Sequence, residues 1–278
     1  MLKQRVITAV VMLLVLLPTV FAHVAWPFAL LTLAMVAVAG WEWGRLNGAG
    51  STTSLAMGAV VGALCAAALW AGWVGVGASP AWWLACGVWV LGGAMALKVG
   101  PAAWPALPKA ARWVLGVAML FTAWLALASA KVVGLNYLLS VFCLVWMADI
   151  SAYFGGRTFG RRKLAPTISP GKSWEGVWSG MLGVMMLAVV WILADKTWPL
   201  GSPSVFTLLW QRFEALGLML ALVFLCAMSV LGDLVESLVK RAAGAKDSSQ
   251  LLPGHGGVLD RVDALLPVFP IAMALSSL

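Results

Sequence analysis

Apolar residues run through this chain in long blocks separated by short polar connectors. Nine blocks stand out, at residues 6–22, 27–41, 53–73, 80–97, 113–130, 132–148, 176–194, 213–232 and 263–277. Each is near the length an α-helix needs to cross the hydrocarbon core of a bilayer, roughly 20 residues. A buried soluble core needs neither so many such blocks nor so few charges between them. The pattern predicts an all-α, polytopic integral membrane bundle of about nine transmembrane helices. Composition agrees: 63% of residues are hydrophobic, only 10% are charged, and the mean hydropathy is +0.98. Many of the 17 tryptophans fall near the ends of apolar blocks, where indole rings favour the membrane interface.

Charge gives the bundle an orientation. A net charge of +8 by itself invites a nucleic-acid reading, but its distribution excludes one. With the N-terminus in the cytoplasm, 15 of the 18 Lys and Arg residues fall in inside segments; Lys131, Lys196 and Arg212 fall outside. That bias is the positive-inside rule. The opening segment, with a basic start and an apolar middle, also resembles a signal peptide. Its removal would leave eight spans and the same topology for the rest. Cys65, Cys86, Cys143 and Cys226 all lie inside apolar blocks without CxxC spacing and are expected to be packing residues.

The chain reads as a single integral domain, residues 1–278, with two unlike halves. Residues 1–130 are a scaffold of Ala, Leu, Val, Trp and Gly whose lone acid is Glu42. Small residues at 56–68 suit close helix–helix approach. Residues 131–278 hold nine of the ten acids. Seven of them, Asp149, Glu175, Asp233, Glu236, Asp247, Asp260 and Asp263, sit at predicted cytoplasmic helix ends or in two cytoplasmic loops, 149–175 and 233–262. Asp195 and Glu214 read as ordinary outside loop charges.

The first loop contains SPGKSWEG at 169–176. Its GKS is not a P-loop: the motif needs a glycine at 166, where proline stands. A basic, glycine-containing loop remains, in which Lys172 and Ser173 can hold phosphates. Attraction of a solvated loop to anionic lipid heads explains it equally well. A helix is expected to start near Ser173, with Glu175 in its first turn.

The second loop carries more. Asp233, Glu236 and Ser237 share one helix face by spacing, and Lys240 lies four residues from Glu236. Simple ion pairing is one account. Yet Asp233 directly follows an apolar span, where a carboxylate is costly unless it meets a cavity, a cation or a partner. Asp260 and Asp263, again three apart, open the last block. Convergent carboxylates suit Mg2+, which keeps water and takes phosphate oxygens as further ligands. Lys and Arg beside them complete what phosphoryl or nucleotidyl transfer requires. His255 suits a phosphate or a loop contact better than Mg2+, and Gly256 and Gly257 permit close backbone approach.

Residues 237–263, SLVKRAAGAKDSSQLLPGHGGVLDRVD, match at every fixed position the signature of phosphatidate cytidylyltransferases (CDP-diacylglycerol synthases), and SPGKSWEG resembles an upstream element of the same family. The resemblance rests on elements between residues 169 and 263 of the C-terminal half; the N-terminal half is similar only in being several apolar spans. It implies a membrane enzyme that joins CTP and phosphatidic acid into CDP-diacylglycerol with release of pyrophosphate. It also implies a divalent metal, Mg2+, on Asp233 and Asp260, with Glu236 and Asp263 beside them and Lys240 and Arg261 completing the catalytic set. Lys172, Ser173, Ser237, Arg241, Lys246, Asp247, His255, Gly256 and Gly257 are expected substrate-binding positions, and a homodimer is usual for such proteins. Short loops and small size point to a bacterial inner membrane with the site facing the cytoplasm. A CTP-dependent kinase of a polyprenol or similar lipid is the alternative. A transporter is disfavoured because the charges gather at one surface rather than the midplane. A CDP-alcohol phosphotransferase is disfavoured because Asp149 is followed by Ile150, not glycine.

Overall fold

In lipid every backbone N–H and C=O must be satisfied within the protein, and long apolar segments meet that demand by becoming helices. A computed structural model describes residues 2–75, 80–198 and 200–277, with side chains from Gln4 onward. Lys3, one of the inside cations, therefore has its backbone but not its side chain described. The helices are α1 (Leu2–Phe21), α2 (Trp26–Leu46), α3 (Ser51–Trp70), α4 (Pro80–Gly87), α5 (Ala94–Val99), α6 (Lys109–Val133), α7 (Leu135–Phe159), α8 (Trp174–Thr197), α9 (Val205–Ala242), α10 (Leu259–Val262) and α11 (Leu265–Ser276). A π-helical turn at Val88–Gly93 joins α4 to α5. Between α7 and α8 lies a small antiparallel hairpin, β1 (Lys163–Ala165) and β2 (Ser169–Ser173).

Among the described residues, eight helical stretches are long and apolar enough to cross a membrane. The ninth predicted block is the shorter α11, of 12 residues. Its residues 266–274 are all buried, and it packs among α4, α6, α7 and α9. At its far end the Ser276 hydroxyl lies 3.1 Å from that of Tyr137, at the start of α7. The last block is thus a core helix of the bundle.

Several helices extend beyond the expected bounds, and three of these extensions change where the acids sit. α2 continues to Leu46 and takes in Glu42. α7 continues to Phe159, so Asp149 lies within a helix rather than at its end. α9 starts at Val205, kinks at Glu214 (φ 56°, ψ −161°) and continues to Ala242. Residues 233–242 are accordingly helix, not loop, and the connecting segments shrink to residues 160–173 and 243–258. Glu214, expected in an outside loop, forms that kink. Asp195 is likewise no free loop charge: it lies within α8 and accepts hydrogen bonds from Asn136 (2.8 Å), Ser204 Oγ (2.6 Å) and Thr207 Oγ1 (2.6 Å).

Close helix approach is built on small residues. A Cβ on Gly58 of α3 would come 2.6 Å from the Ala37 carbonyl of α2. Cβ atoms on Gly176 and Gly180 of α8 would each come 2.9 Å from carbonyls of α7. Without water to drive apolar burial, such contacts let backbones pack directly. The start of α1 meets the second connecting segment: Thr8 Oγ1 donates to the Pro253 carbonyl at 3.0 Å, and a Cβ on Gly254 would come 2.7 Å from Arg5 Cγ. The chain's N-terminal end and residues 243–258 therefore share one end of the bundle.

Candidate active site

That end gathers charge from four elements. On α9, Glu236 and Lys240 are paired one turn apart, as the spacing predicted. Lys240 Nζ also reaches Asp260 Oδ1 at 2.6 Å, so a single cation bridges α9 and α10. All three side chains are nearly buried, which makes the pairing obligatory: removal of one partner would strand charge in a poorly solvated place. Asp233, two turns before Lys240, binds Lys172 Nζ of β2 at 2.6 Å and accepts from Ser237 Oγ at 3.2 Å. Arg241 Nε donates to the Ile168 carbonyl at 3.3 Å. Lys172 and Arg241 thus fasten the hairpin to α9 from both sides.

Asp260 organises the glycine-rich segment. Its Oδ2 accepts from the Ser248 N–H, the Ser248 hydroxyl and the Gly257 N–H, each at 2.8 Å. Burial works against this carboxylate, yet the hydrogen bonds from Lys240, Gly257 and Ser248 outweigh it and hold its pKa at about 2. The glycine run follows from this crowding. Gly256 has φ +78°, and a Cβ there would come 2.7 Å from Asp260 Oδ2. A Cβ at Gly257 would fall on Ser248 Oγ and Glu42 Oε1. His255 donates its backbone N–H to Leu252 O at 2.8 Å, while its Nδ1 is buried without a partner.

Glu42 is the residue that sequence reasoning missed. It lies on α2, fully buried, in the half read as scaffold. Its oxygens accept from Ser248 Oγ (3.1 Å), Ser249 Oγ (2.6 Å), Val258 N (3.0 Å) and Leu259 N (2.7 Å). Four donors from both ends of one loop converge on one carboxylate, so Glu42 pins residues 248–259 onto α2. A signal existed: Glu42, the lone acid of the first 130 residues, directly follows the apolar block 27–41, where a carboxylate is expensive unless it has such work.

The remaining expected positions sort as follows. Ser173 is buried and caps α8, its Oγ accepting from Gly176 N at 3.2 Å. Glu175 accepts from the Arg161 and Arg162 N–H groups at 3.0 and 3.2 Å, completing the expected helix start. Lys246, Asp247 and Arg261 are exposed at this same end, on the loop and on α10. Asp263 accepts from Ala264 N at 2.8 Å. Burial, reinforced by the charge of Asp233, pushes the Asp263 pKa up to about 7. Asp149, from mid-α7, interacts electrostatically with both Lys172 and Asp233 and joins the group from the side.

For Mg2+ the donor set is suitable in kind. Asp233, Glu236, Asp260 and Asp263 supply only hard oxygens, and with Lys172 and Lys240 they leave the centre two charges negative in its fully ionised form. Glu236 Oε1 is buried without a hydrogen-bond partner. Among the described residues no three His, Cys, Asp or Glu side chains gather into a ready-made cage. Mg2+ does not need one, since it ordinarily uses one or two carboxylates plus water and substrate phosphates.

Fold and site together define a polytopic helical membrane protein with a buried network of acids and lysines at one end of the bundle. The sequence profile of the "cytidylyltransferase family" matches residues 3–278, and the chain belongs to that family of enzymes. It is 39% identical over 282 aligned residues to a phosphatidate cytidylyltransferase of Pseudomonas aeruginosa, covering 99% of this chain and 97% of that one. A phosphatidate cytidylyltransferase of Haemophilus influenzae is 50% identical over 137 residues, 49% of this chain and 44% of its own. One from Bacillus subtilis is 36% identical over 162 residues, 58% and 55% of the two chains.

Proposed function

We propose that the protein transfers the cytidylyl group of CTP to phosphatidate, forming CDP-diacylglycerol and pyrophosphate at the membrane surface. The observation that carries this reading is the convergence of Asp233, Asp260 and Asp263 with Lys172 and Lys240, in a chain of this family. A phosphatidate oxygen attacks the α-phosphorus of CTP; the new P–O bond forms as the bond to the β-phosphate oxygen breaks, and pyrophosphate leaves. The nucleophile is already ionised near neutral pH, so no general base is required. The obstacle is repulsion between two anions. Lys172 and Lys240, fixed by their carboxylate partners, place cations beside the reacting phosphates, with Arg241 and Arg261 at the same end.

Asp233 and Asp263 are the first choice as metal-holding residues, because each has fewer protein donors than Asp260. Asp260 and Glu236 stand behind them through Lys240. Mg2+, when bound, supplies neutralisation of phosphate charge that side chains alone cannot match. The reading places the site on the cytoplasmic face of a bacterial inner membrane; the excess of Lys and Arg at the site's end of the bundle supports that orientation.

The test is purified protein with phosphatidic acid, Mg2+ and CTP labelled on either the α- or the γ-phosphorus. The α label should enter lipid. Entry of the γ label would identify a lipid kinase instead.

A further inference from the structure

The last turn of α2 reads WEWGR at residues 41–45. Three of these residues have clear work. Glu42 pins the loop; Trp43 Nε1 donates to the Arg112 carbonyl at 2.8 Å; Gly44 lets α3 approach, since a Cβ there would come 3.0 Å from Ser54 Cα. Arg45 has no such task. It is exposed, and its guanidinium lies over the ring of Trp41, 4.8 Å from the centroid.

Between Arg45 and the start of the glycine-rich loop is a cleft of about 580 Å3. Its polar walls are Arg45, Lys246, Asp247, Ser248, Ser249 and Gln250. Two features connect it to the reaction centre. Ser248, in its wall, is bonded through both N and Oγ to Asp260. Ser248 and Ser249 are themselves buried and held by Glu42, so this wall is rigid.

We infer that this cleft is the CTP-binding site and that Arg45 is a nucleotide-binding residue. This inference rests on the proposed function and adds to it the place of the nucleotide. Size and chemistry agree. Ligand pockets of roughly 300–1,000 Å3 take molecules of this class. Arg45 and Lys246 supply cations for phosphate oxygens, and stacking on Trp41 holds the Arg45 fork in place before the ligand arrives. Asp247 supplies the acceptor that pairs with the exocyclic amine of cytosine. The lipid belongs on another side. The large exposed apolar side chains near Asp149 are Trp146, Ile150, Tyr153 and Phe154 of α7, on the flank that Asp149 shares with Lys172 and Asp233. With the nucleotide beside α2, this leaves the apolar flank of α7 for the acyl chains, and the two phosphates meet between them.

The experiment is steady-state kinetics on the purified full-length protein and its Arg45→Ala and Arg45→Lys variants, varying CTP and phosphatidate separately. Equilibrium binding of labelled CTP without phosphatidate accompanies it. Arg45→Ala should raise the CTP KM and Kd about tenfold, the factor to which about 1.4 kcal/mol of lost contact corresponds. The phosphatidate KM should stay within about twofold, and Arg45→Lys should recover part of the loss. Since Arg45 is exposed, both variants should elute from gel filtration as the parent does. Lys246→Ala should weaken CTP in the same selective manner. CTP constants unchanged in Arg45→Ala, or a loss falling on phosphatidate, would overturn the assignment. A parent protein that puts no α label into lipid overturns the proposed function; if it still binds CTP and Arg45→Ala weakens that binding, the cleft stands and only the chemistry is wrong.

Discussion

The side chains at the centre are few, and each has a partner whose loss has a definable cost. Lys240 holds both Glu236 and Asp260, so Lys240→Ala leaves two nearly buried carboxylates unpaired. Stranding a buried ion in this way costs about 3–5 kcal/mol, and a fall in thermal stability in detergent should accompany the loss of turnover. Asp233→Ala differs. Its partners Lys172 and Ser237 are half-buried and regain water, so the protein should insert and purify normally while turnover falls by a factor on the order of 100 or more. Substantial activity in purified Asp233→Ala would remove this residue from the centre. Gly257→Ala tests the backbone: a methyl group there meets Ser248 Oγ and Glu42 Oε1, and relief of overpacking costs about 1–3 kcal/mol. Protease cleavage between residues 246 and 259 should become faster than in the parent protein, even before global unfolding.

At the scale of elements, the glycine-rich loop is held by contacts far apart in sequence. Glu42 meets its donors across more than 200 residues. Glu42→Gln keeps the size but turns an amide NH2 toward one backbone N–H, that of Val258 or Leu259, which is left unsatisfied, while the serine hydroxyls can rotate to accept. At about 1–3 kcal/mol for that stranded donor, the loop should detach from α2, with kcat falling and hydrogen exchange at residues 248–259 rising. An unchanged exchange pattern would mean that the loop does not depend on α2. This element also marks the limit of what the sequence discloses. The signature residues are legible because they are dense in charge and glycine, and the helix face of Asp233, Glu236, Ser237 and Lys240 follows from period alone. Hydrophobicity located the apolar blocks but not the ends of α7 and α9, because both helices continue past their apolar stretch on polar residues satisfied by tertiary contacts. The partners of Glu42 were not legible for a similar reason: no local pattern states which distant N–H groups a buried carboxylate will meet.

For the whole molecule, the alternation of the eight membrane-long helical stretches among the described residues has a consequence that can be checked from outside. α1 begins, and α2, α5, α7 and α9 end, at the end of the bundle that carries the hairpin and the glycine-rich loop. α11 returns from that end through the core to Tyr137. If the distribution of Lys and Arg sets the orientation, every charged group of the site faces the cytoplasm. Arg261 and Lys196 are both exposed, one at each end of the bundle. The four native cysteines are buried or only partly exposed. A cysteine placed at Arg261 should resist a membrane-impermeant maleimide in intact cells and react in inverted vesicles. A cysteine at Lys196 should do the reverse, with permeabilisation making both reactive. The opposite labelling pattern would put the acids and lysines on the outer side of the membrane and overturn the orientation that the bias of Lys and Arg implies.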